Sequence, residues 1–275
     1  MCAGTGADAV VVPGPPGTRF SVHRFAEIDS TNRYLLEQAA AGAAEGTVAV
    51  AAYQRAGRGR LGRRWEAPPG ANLLVSVLLR PGLEPDDLHL CTVAVALAAA
   101  DACARVAGVA PELKWPNDLV VGERKLAGIL AETVPGARPV AVVVGLGLNV
   151  RWPGPGEPEG GEPEGGETGE VLRISTSLAR QTGAAFDPGA LLDAVLVALE
   201  PRLVELASPG GRAALAAEYR RRCATLGRTV TVTGHHETFT GVATDVTPSG
   251  HLVVELGTGR RTVVAGDVVH VRPPG

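Results

Sequence analysis

What this chain has little of narrows its class first. Its 275 residues include four cysteines, Cys2, Cys91, Cys103 and Cys223, with no CxxC pair and no Cys/His ligand spacing. Reduced structural thiols are therefore expected rather than disulfides or a zinc site. Aromatic residues make up 4% of the chain, too few for the interleaved stacking platforms of single-strand nucleic-acid binders. A net charge of -3 argues against a general coat for phosphate backbones, whose affinity scales with cationic contacts, so any basic site must be local. The first seventeen residues carry no Lys or Arg, which leaves no signal-peptide pattern. The longest apolar stretch, Leu88 to Ala100, reads as too short and too Ala-rich to span a bilayer. No nucleic-acid or membrane partner is expected, and a cytoplasmic location follows by elimination.

What is present is 45% apolar residues with charges of both signs, enough for a sizeable core in one large or two unequal units. Asp29-Ser30-Thr31-Asn32 supplies capping residues before Tyr34, Leu35, Leu36 and Ala39 at helical spacing. Thr47 to Tyr53 and Asn72 to Arg80 read as strands, and Asp86 to Val106 as a long buried helix. Between those strands, residues 54–72 lose periodicity and carry Gly57, Gly59, Gly62, Pro68, Pro69 and Gly70, a long loop of the kind that is often functional. Short strands are expected at Glu112 to Trp115, Leu119 to Val121, Lys125 to Glu132 and Val140 to Val150, and helices at Ile174 to Gln181, Leu191 to Leu206 and Arg212 to Cys223. Residues 153–170, with repeated Gly-Glu-Pro units, read as a flexible acidic insertion. From Gly227 short β-branched runs suggest a small terminal β-barrel. The fold class is α+β, with an expected flexible segment over 1–19, a catalytic unit over 20–226 and a barrel over 227–275.

Four constellations carry candidate chemistry. Arg58, Arg60, Arg63 and Arg64 are interleaved with Gly57, Gly59 and Gly62, followed by Trp65. Glycine lets backbone approach a ligand and Arg presents a planar fork of donors, so an anion-binding loop and a solvated basic loop both fit. Trp65 either folds over a ligand or anchors the end of the loop. Lys114-Trp115-Pro116-Asn117-Asp118 places a cation, an amide and a carboxylate at a turn, where Asp118 is either a hard-cation ligand or an Asx-type turn residue. Lys125 enters a core strand and either aims at a bound anion or faces water. Gly145-Leu146-Gly147-Leu148-Asn149 ends a strand, its glycines making room for a ligand ring or easing strand packing.

The order of these motifs closely resembles the biotin protein ligases, from about Phe25 to Val150: Ser30-Thr31-Asn32, Gln54 through Arg60, Lys114 through Asp118, Arg124 through Ile129, and Gly145 through Asn149. The resemblance implies a class II synthetase-like mixed β-sheet with helices, followed by a small SH3-like barrel. It implies that Ser30, Thr31, Asn32 and Gln54 line a biotin pocket. Gly57, Arg58, Gly59 and Arg60 would close over biotin and its adenylate, with Trp65 ordering the ligand. Lys125 would contact the carboxylate or α-phosphate, Asn117 and Asp118 would place nucleotide and Mg²⁺, and Gly128 and Asn149 would shape the site. Arg58, Lys125 and Asp118 are the catalytic candidates, and Asp118 the metal ligand.

The implied activity is ATP-dependent biotinylation of a biotin carboxyl carrier domain of an acyl-CoA carboxylase, by a monomer or homodimer. Leu61 interrupts the basic run of many relatives, and the acidic insertion has no expected counterpart. Some members carry a DNA-binding winged helix-turn-helix, for which residues 1–20 are too few and too rich in Gly and Pro, so no repressor role is expected. The rivals are a lipoate ligase or octanoyl transferase on a similar fold, and a nucleic-acid module using the Arg loop and barrel.

Overall fold

The computed structural model describes residues 9–134, 136–137, 139–155, 174–234, 237–257, 259–264 and 266–271. Most of the acidic insertion, and Cys2, lie outside them. The larger sheet has eight strands in the order β1-β2-β3-β4-β8-β7-β6-β5. These are β1 (Val10–Pro13), β2 (Ser21–Ile28), β3 (Thr47–Gln54), β4 (Leu73–Leu79), β5 (Glu112–Lys114), β6 (Asp118–Val121), β7 (Arg124–Thr133) and β8 (Val142–Leu148). The sheet is mixed: β2 and β3 run parallel because helix α1 (Thr31–Ala40) crosses between them, and the remaining neighbours are antiparallel. Among the described residues four further helices are bounded: α2 (His89–Ala107), α3 (Leu178–Thr182), α4 (Pro188–Leu206) and α5 (Pro209–Arg221).

Period-two alternation sorts each central strand into two faces. Val142, Val144, Leu146 and Leu148 of β8 join the core built with α2 and α4, whereas Ala141 and Val143 pack with Leu35 and Ala39 of α1. Gly145 and Gly147 therefore lie on the α1 side, where α1 covers only part of the sheet. Helix α2 is long and apolar enough by composition to pass for a membrane span, so length does not exclude one. Its residues from Leu90 to Ala100, together with Ala102 and Cys103, are buried in this core, the pattern of a central helix.

The second sheet is antiparallel, in the order β12-β11-β10-β9-β13, with β9 (Thr229–Thr233), β10 (Thr238–Val246), β11 (Leu252–Leu256), β12 (Gly259–Val263) and β13 (Asp267–His270). Among the described residues no pairing joins β12 to β13, so the expected barrel is seen as a five-stranded sheet. Its Val230, Val246, Leu252 and Val254 belong to the same continuous core as α2.

Two expectations need correction. The segment 1–19 is not flexible throughout, because Val10–Pro13 pairs with Ser21–Arg24 at the sheet edge. Strand β2 went unpredicted, since Ser21, His23, Arg24 and Glu27 dilute its apolar signal. The helix expected from Ile174 starts instead at Leu178, capped by the Ser177 hydroxyl.

One buried cation ties the helices together. Arg202 of α4 is 8% exposed and reaches Asp101 of α2 at 2.5 Å and Glu218 of α5 at 3.0 Å. Arg222 also pairs with Asp101 at 2.7 Å and Glu218 at 3.1 Å, so Arg202→Ala leaves both carboxylates partnered and is expected to lower stability by about 1 to 2 kcal/mol, read as a reduced urea midpoint. An unchanged midpoint would show that the cluster adds nothing to stability.

Candidate active site

The site is assembled on the α1 side of the sheet, beginning at the helix N-terminus. Ser30 caps α1, its Oγ accepting from the Arg33 amide at 3.5 Å, and this fixes Thr31 and Asn32 in the first turn over the strand ends. Ser30, Thr31 and Asn32 are all buried. The Thr31 amide donates to Gln54 Oε1 at 2.8 Å, and its hydroxyl lies 3.0 Å from the same oxygen and 2.7 Å from Ser76 Oγ. Ser76 donates to Asn32 Oδ1 at 2.6 Å, while Asn32 Nδ2 donates to the Leu130 carbonyl at 3.1 Å and to Glu132 Oε2 at 2.9 Å. Glu132 Oε1 meets Arg58 Nη2 at 2.8 Å. A polar chain thus runs from Gln54 to the Gly/Arg loop.

Ser76 and Glu132 escaped the sequence reading. The available signal was a lone polar residue inside the apolar run of β4 and a carboxylate at the end of a core strand. Both fall on the α1 side by register, Ser76 opposite Gly145 and Glu132 opposite Val143.

Beside this chain lies a trough. Gly128 and Gly147 are cross-strand partners, and the Trp65 indole rests on both. A Cβ on Gly147 would come within 2.3 Å of the indole, one on Gly128 within 2.9 Å, and one on Gly145 within 2.2 Å of Asn32 Oδ1. The glycines make room for Asn32 and Trp65. Trp65 Nε1 is buried with no hydrogen-bond partner.

The Gly/Arg loop is a small hairpin. Gly57 and Trp65 are joined by a 3.0 Å backbone hydrogen bond, Gly59 and Arg63 by one of 2.7 Å, and the tip at Arg60–Gly62 is a short 3-10 turn. Gly57-x-Gly59-x-x-Gly62 has dinucleotide-loop spacing and follows a strand, but it opens no helix, so a Rossmann phosphate site is not formed. Gly57 is required by closure, because a Cβ there would sit 2.2 Å from the Trp65 carbonyl oxygen.

The loop's arginines diverge. Arg60 donates to Asn117 Oδ1 at 3.0 Å and to the Gly266 carbonyl at 2.8 Å, and Arg63 pairs with Asp267 at 2.7 Å. Arg64 turns back to the Arg55 carbonyl and Glu66. Burial pushes the Arg60 guanidinium below its ordinary value, partly offset by Asp267 and Asp118.

Lys125 reaches the trough because of a bulge. Leu119 faces Ala127 but Val120 faces Lys125, so Leu126 is an extra residue that brings Lys125 to the side of Gly128. Its Nζ lies 2.7 Å from Asp118 Oδ1 and 5.6 Å from the Trp65 ring centre. At that distance the Lys125–Asp118 contact is a charge-assisted ion pair.

Asn117 donates to the Ile129 carbonyl at 2.8 Å, bracing the turn against β7. Asn149 is committed to structure: it donates to the Thr176 carbonyl and accepts from Asn72, both at 3.0 Å, so it acts by holding the strand end. A cleft of about 360 Å³ opens between the loop tip and the Pro116–Asn117 turn, with Val264 of the second sheet on its wall. His89 also lines it, held neutral at a pKa near 4, chiefly by burial and further by His251 and Arg60. Cys91 and Cys103 are buried away from the cleft, their thiols pushed up to about 12 by burial, which makes them inert as nucleophiles.

Residues 25–149 match the Biotin/lipoate A/B protein ligase family, and residues 225–271 match the Biotin protein ligase C terminal domain. The first match alone does not separate biotin from lipoate; the close relatives do. The chain is 39% identical over 254 residues to a biotin--[acetyl-CoA-carboxylase] ligase of Mycobacterium tuberculosis, covering 90% of this chain and 88% of that protein.

This chain belongs to the biotin protein ligase family.

A biotin--[acetyl-CoA-carboxylase] ligase of Paracoccus denitrificans is 34% identical over 89% of this biotin protein ligase and 98% of its own length. Among solved structures, the biotin protein ligase from Aquifex aeolicus in complex with biotin and ATP superposes with a TM-score of 0.75 at 26% identity, covering 92% of this chain and 99% of that one.

Proposed function

We infer that the residues gathered here carry out ATP-dependent biotin ligation. The biotin carboxylate attacks the α-phosphorus of ATP, releasing pyrophosphate and leaving biotinyl-5′-adenylate; a carrier lysine amine then attacks the acyl carbon and AMP departs. The observation that carries this reading is a glycine trough with Lys125 at Gly128 and the polar chain through Thr31, Ser76, Asn32 and Glu132 leading to Arg58 beside it. Hydroxyl and amide groups suit a ureido ring offering donors and acceptors, and the trough suits a flat apolar ring.

The first step brings two anions together. Arg58, Arg60 and Lys125 offset that repulsion, a task in which one placed donor contributes about 3 to 4 kcal/mol. The adenylate is a mixed anhydride, and a loop closed over it excludes water. In the second step Asp118 orients the incoming amine and accepts its proton.

Among the described residues no three His, Cys, Asp or Glu side chains gather into a metal cluster. Asp118 offers a single carboxylate, its Oδ1 2.7 Å from Lys125 Nζ in the ligand-free protein, and one carboxylate fits a Mg²⁺ held chiefly by nucleotide phosphates. When bound there, Mg²⁺ supplies neutralisation of phosphate charge.

Following its relatives' names, we assign the acceptor lysine to the biotin carboxyl carrier domain of an acyl-CoA carboxylase. The proposal includes a cytoplasmic location, where ATP is supplied, and no nucleic-acid or membrane partner. Incubation with ATP, Mg²⁺ and either biotin, lipoate or octanoate tests it. Pyrophosphate release and mass labelling of a carrier domain are expected with biotin alone; release indifferent to biotin would sink the reading.

A further inference from the structure

We propose that Glu132 is an internal counter-anion: it holds Arg58, and with it the Gly/Arg loop, in the ligand-free protein, and substrate oxyanion must displace it. The inference rests on the reading of Arg58 as an anion-binding group. Glu132 is then a positioning residue whose carboxylate is shared between the two halves of the site. One oxygen accepts from Asn32 at 2.9 Å, the amide assigned to the ureido ring, and the other lies 2.8 Å from Arg58 Nη2.

The geometry makes this carboxylate a stand-in for substrate. Its side chain is 20% exposed against 47% for Arg58, so the acid is the fixed member and the arginine the movable one. Asn32 is held by Ser76 and the Leu130 carbonyl together with Glu132, so it keeps its place when Arg58 alone leaves. A biotin carboxylate or an α-phosphate offers Arg58 the same charge-assisted bond that Glu132 offers. The exchange conserves ion pairs while freeing one carboxylate near the trough. Binding is therefore weaker than Arg58 alone would permit, by the fraction of time Glu132 occupies it.

Two substitutions at this position then act in opposite directions. Glu132→Gln keeps an amide oxygen for Asn32 and removes the charge that competes for Arg58. It should lower the biotin KM by about 3- to 5-fold, the scale of a half-exposed ion pair. It should also raise trypsin cleavage after Arg58 in the ligand-free protein by a similar factor, with Arg60 and Arg63 still held by Gly266 and Asp267. Glu132→Ala removes both contacts and should raise the biotin KM. A purely structural Glu132 would move KM the same way in both variants, and that result, or an unchanged KM in Glu132→Gln, overturns the proposal.

Arg58→Ala separates this proposal from the reading beneath it. That variant should release adenylate into solution, and Glu132→Gln added to it should change the biotin KM no further. If Arg58→Ala retains adenylate as the parent does, the anion-binding reading fails. If it leaks adenylate but Glu132→Gln still lowers KM in that background, the counter-anion proposal fails alone.

Discussion

Lys125→Ala is expected to slow adenylate formation by about 10²- to 10³-fold at saturating biotin and ATP, the range found when one preorganised charge donor is removed from a developing oxyanion. The ammonium is aimed by the bulge at Leu126 and kept from swinging away by Asp118 and the Trp65 ring. Single-turnover pyrophosphate release measures the effect. The split between constants is informative: a rise in biotin KM with kcat intact would assign Lys125 to ground-state binding only. Lys125→Arg tests geometry, because a guanidinium carries the charge but not the compact shape that fits between Asp118 and the indole.

Gly145→Ala should raise the biotin KM by about 10²-fold through Asn32. The added methyl would fall 2.2 Å from Asn32 Oδ1, and Asn32 has nowhere to go without surrendering Ser76, the Leu130 carbonyl or Glu132. Each stranded buried polar group costs about 1 to 3 kcal/mol, so two of them account for that magnitude. Gly210→Ala serves as the control, since nothing lies within 4 Å of a Cβ there. Equal KM values for the two variants would mean that Asn32 does not read the substrate.

The sequence exposed some of this architecture and concealed the rest for physical reasons. Capping at Ser30, the loop glycines and the β-branched runs after Gly227 are local signals, and the corresponding elements form. Strand β1 is a valine run of only four residues among Gly and Pro, and β2 mixes charges with core residues such as Val22 and Phe25, so neither stands out as an element. The candidate side chains were legible as motifs, but their relations were not. No spacing rule pairs Arg58 with Glu132 or Arg60 with Gly266, because those contacts depend on how a loop folds across a sheet. The bulge that turns Lys125 toward Gly128 is equally silent, since the simple alternation of β7 would send Lys125 the other way.

The change of character at residue 227 marks where helices give way to strands, yet it is no seam in the molecule. Trp115 is 1% exposed, and its ring nitrogen donates to the Gly250 carbonyl at 3.0 Å, so the second sheet completes the hydrogen bonding of the Lys114–Asp118 turn. Arg60 and Arg63 reach the loop before β13 and its first residue. The Gly/Arg loop therefore cannot lift without letting go of the C-terminal strands. Whatever opens the site for substrate must break contacts in both sequence regions, so the two behave as a single mechanical part.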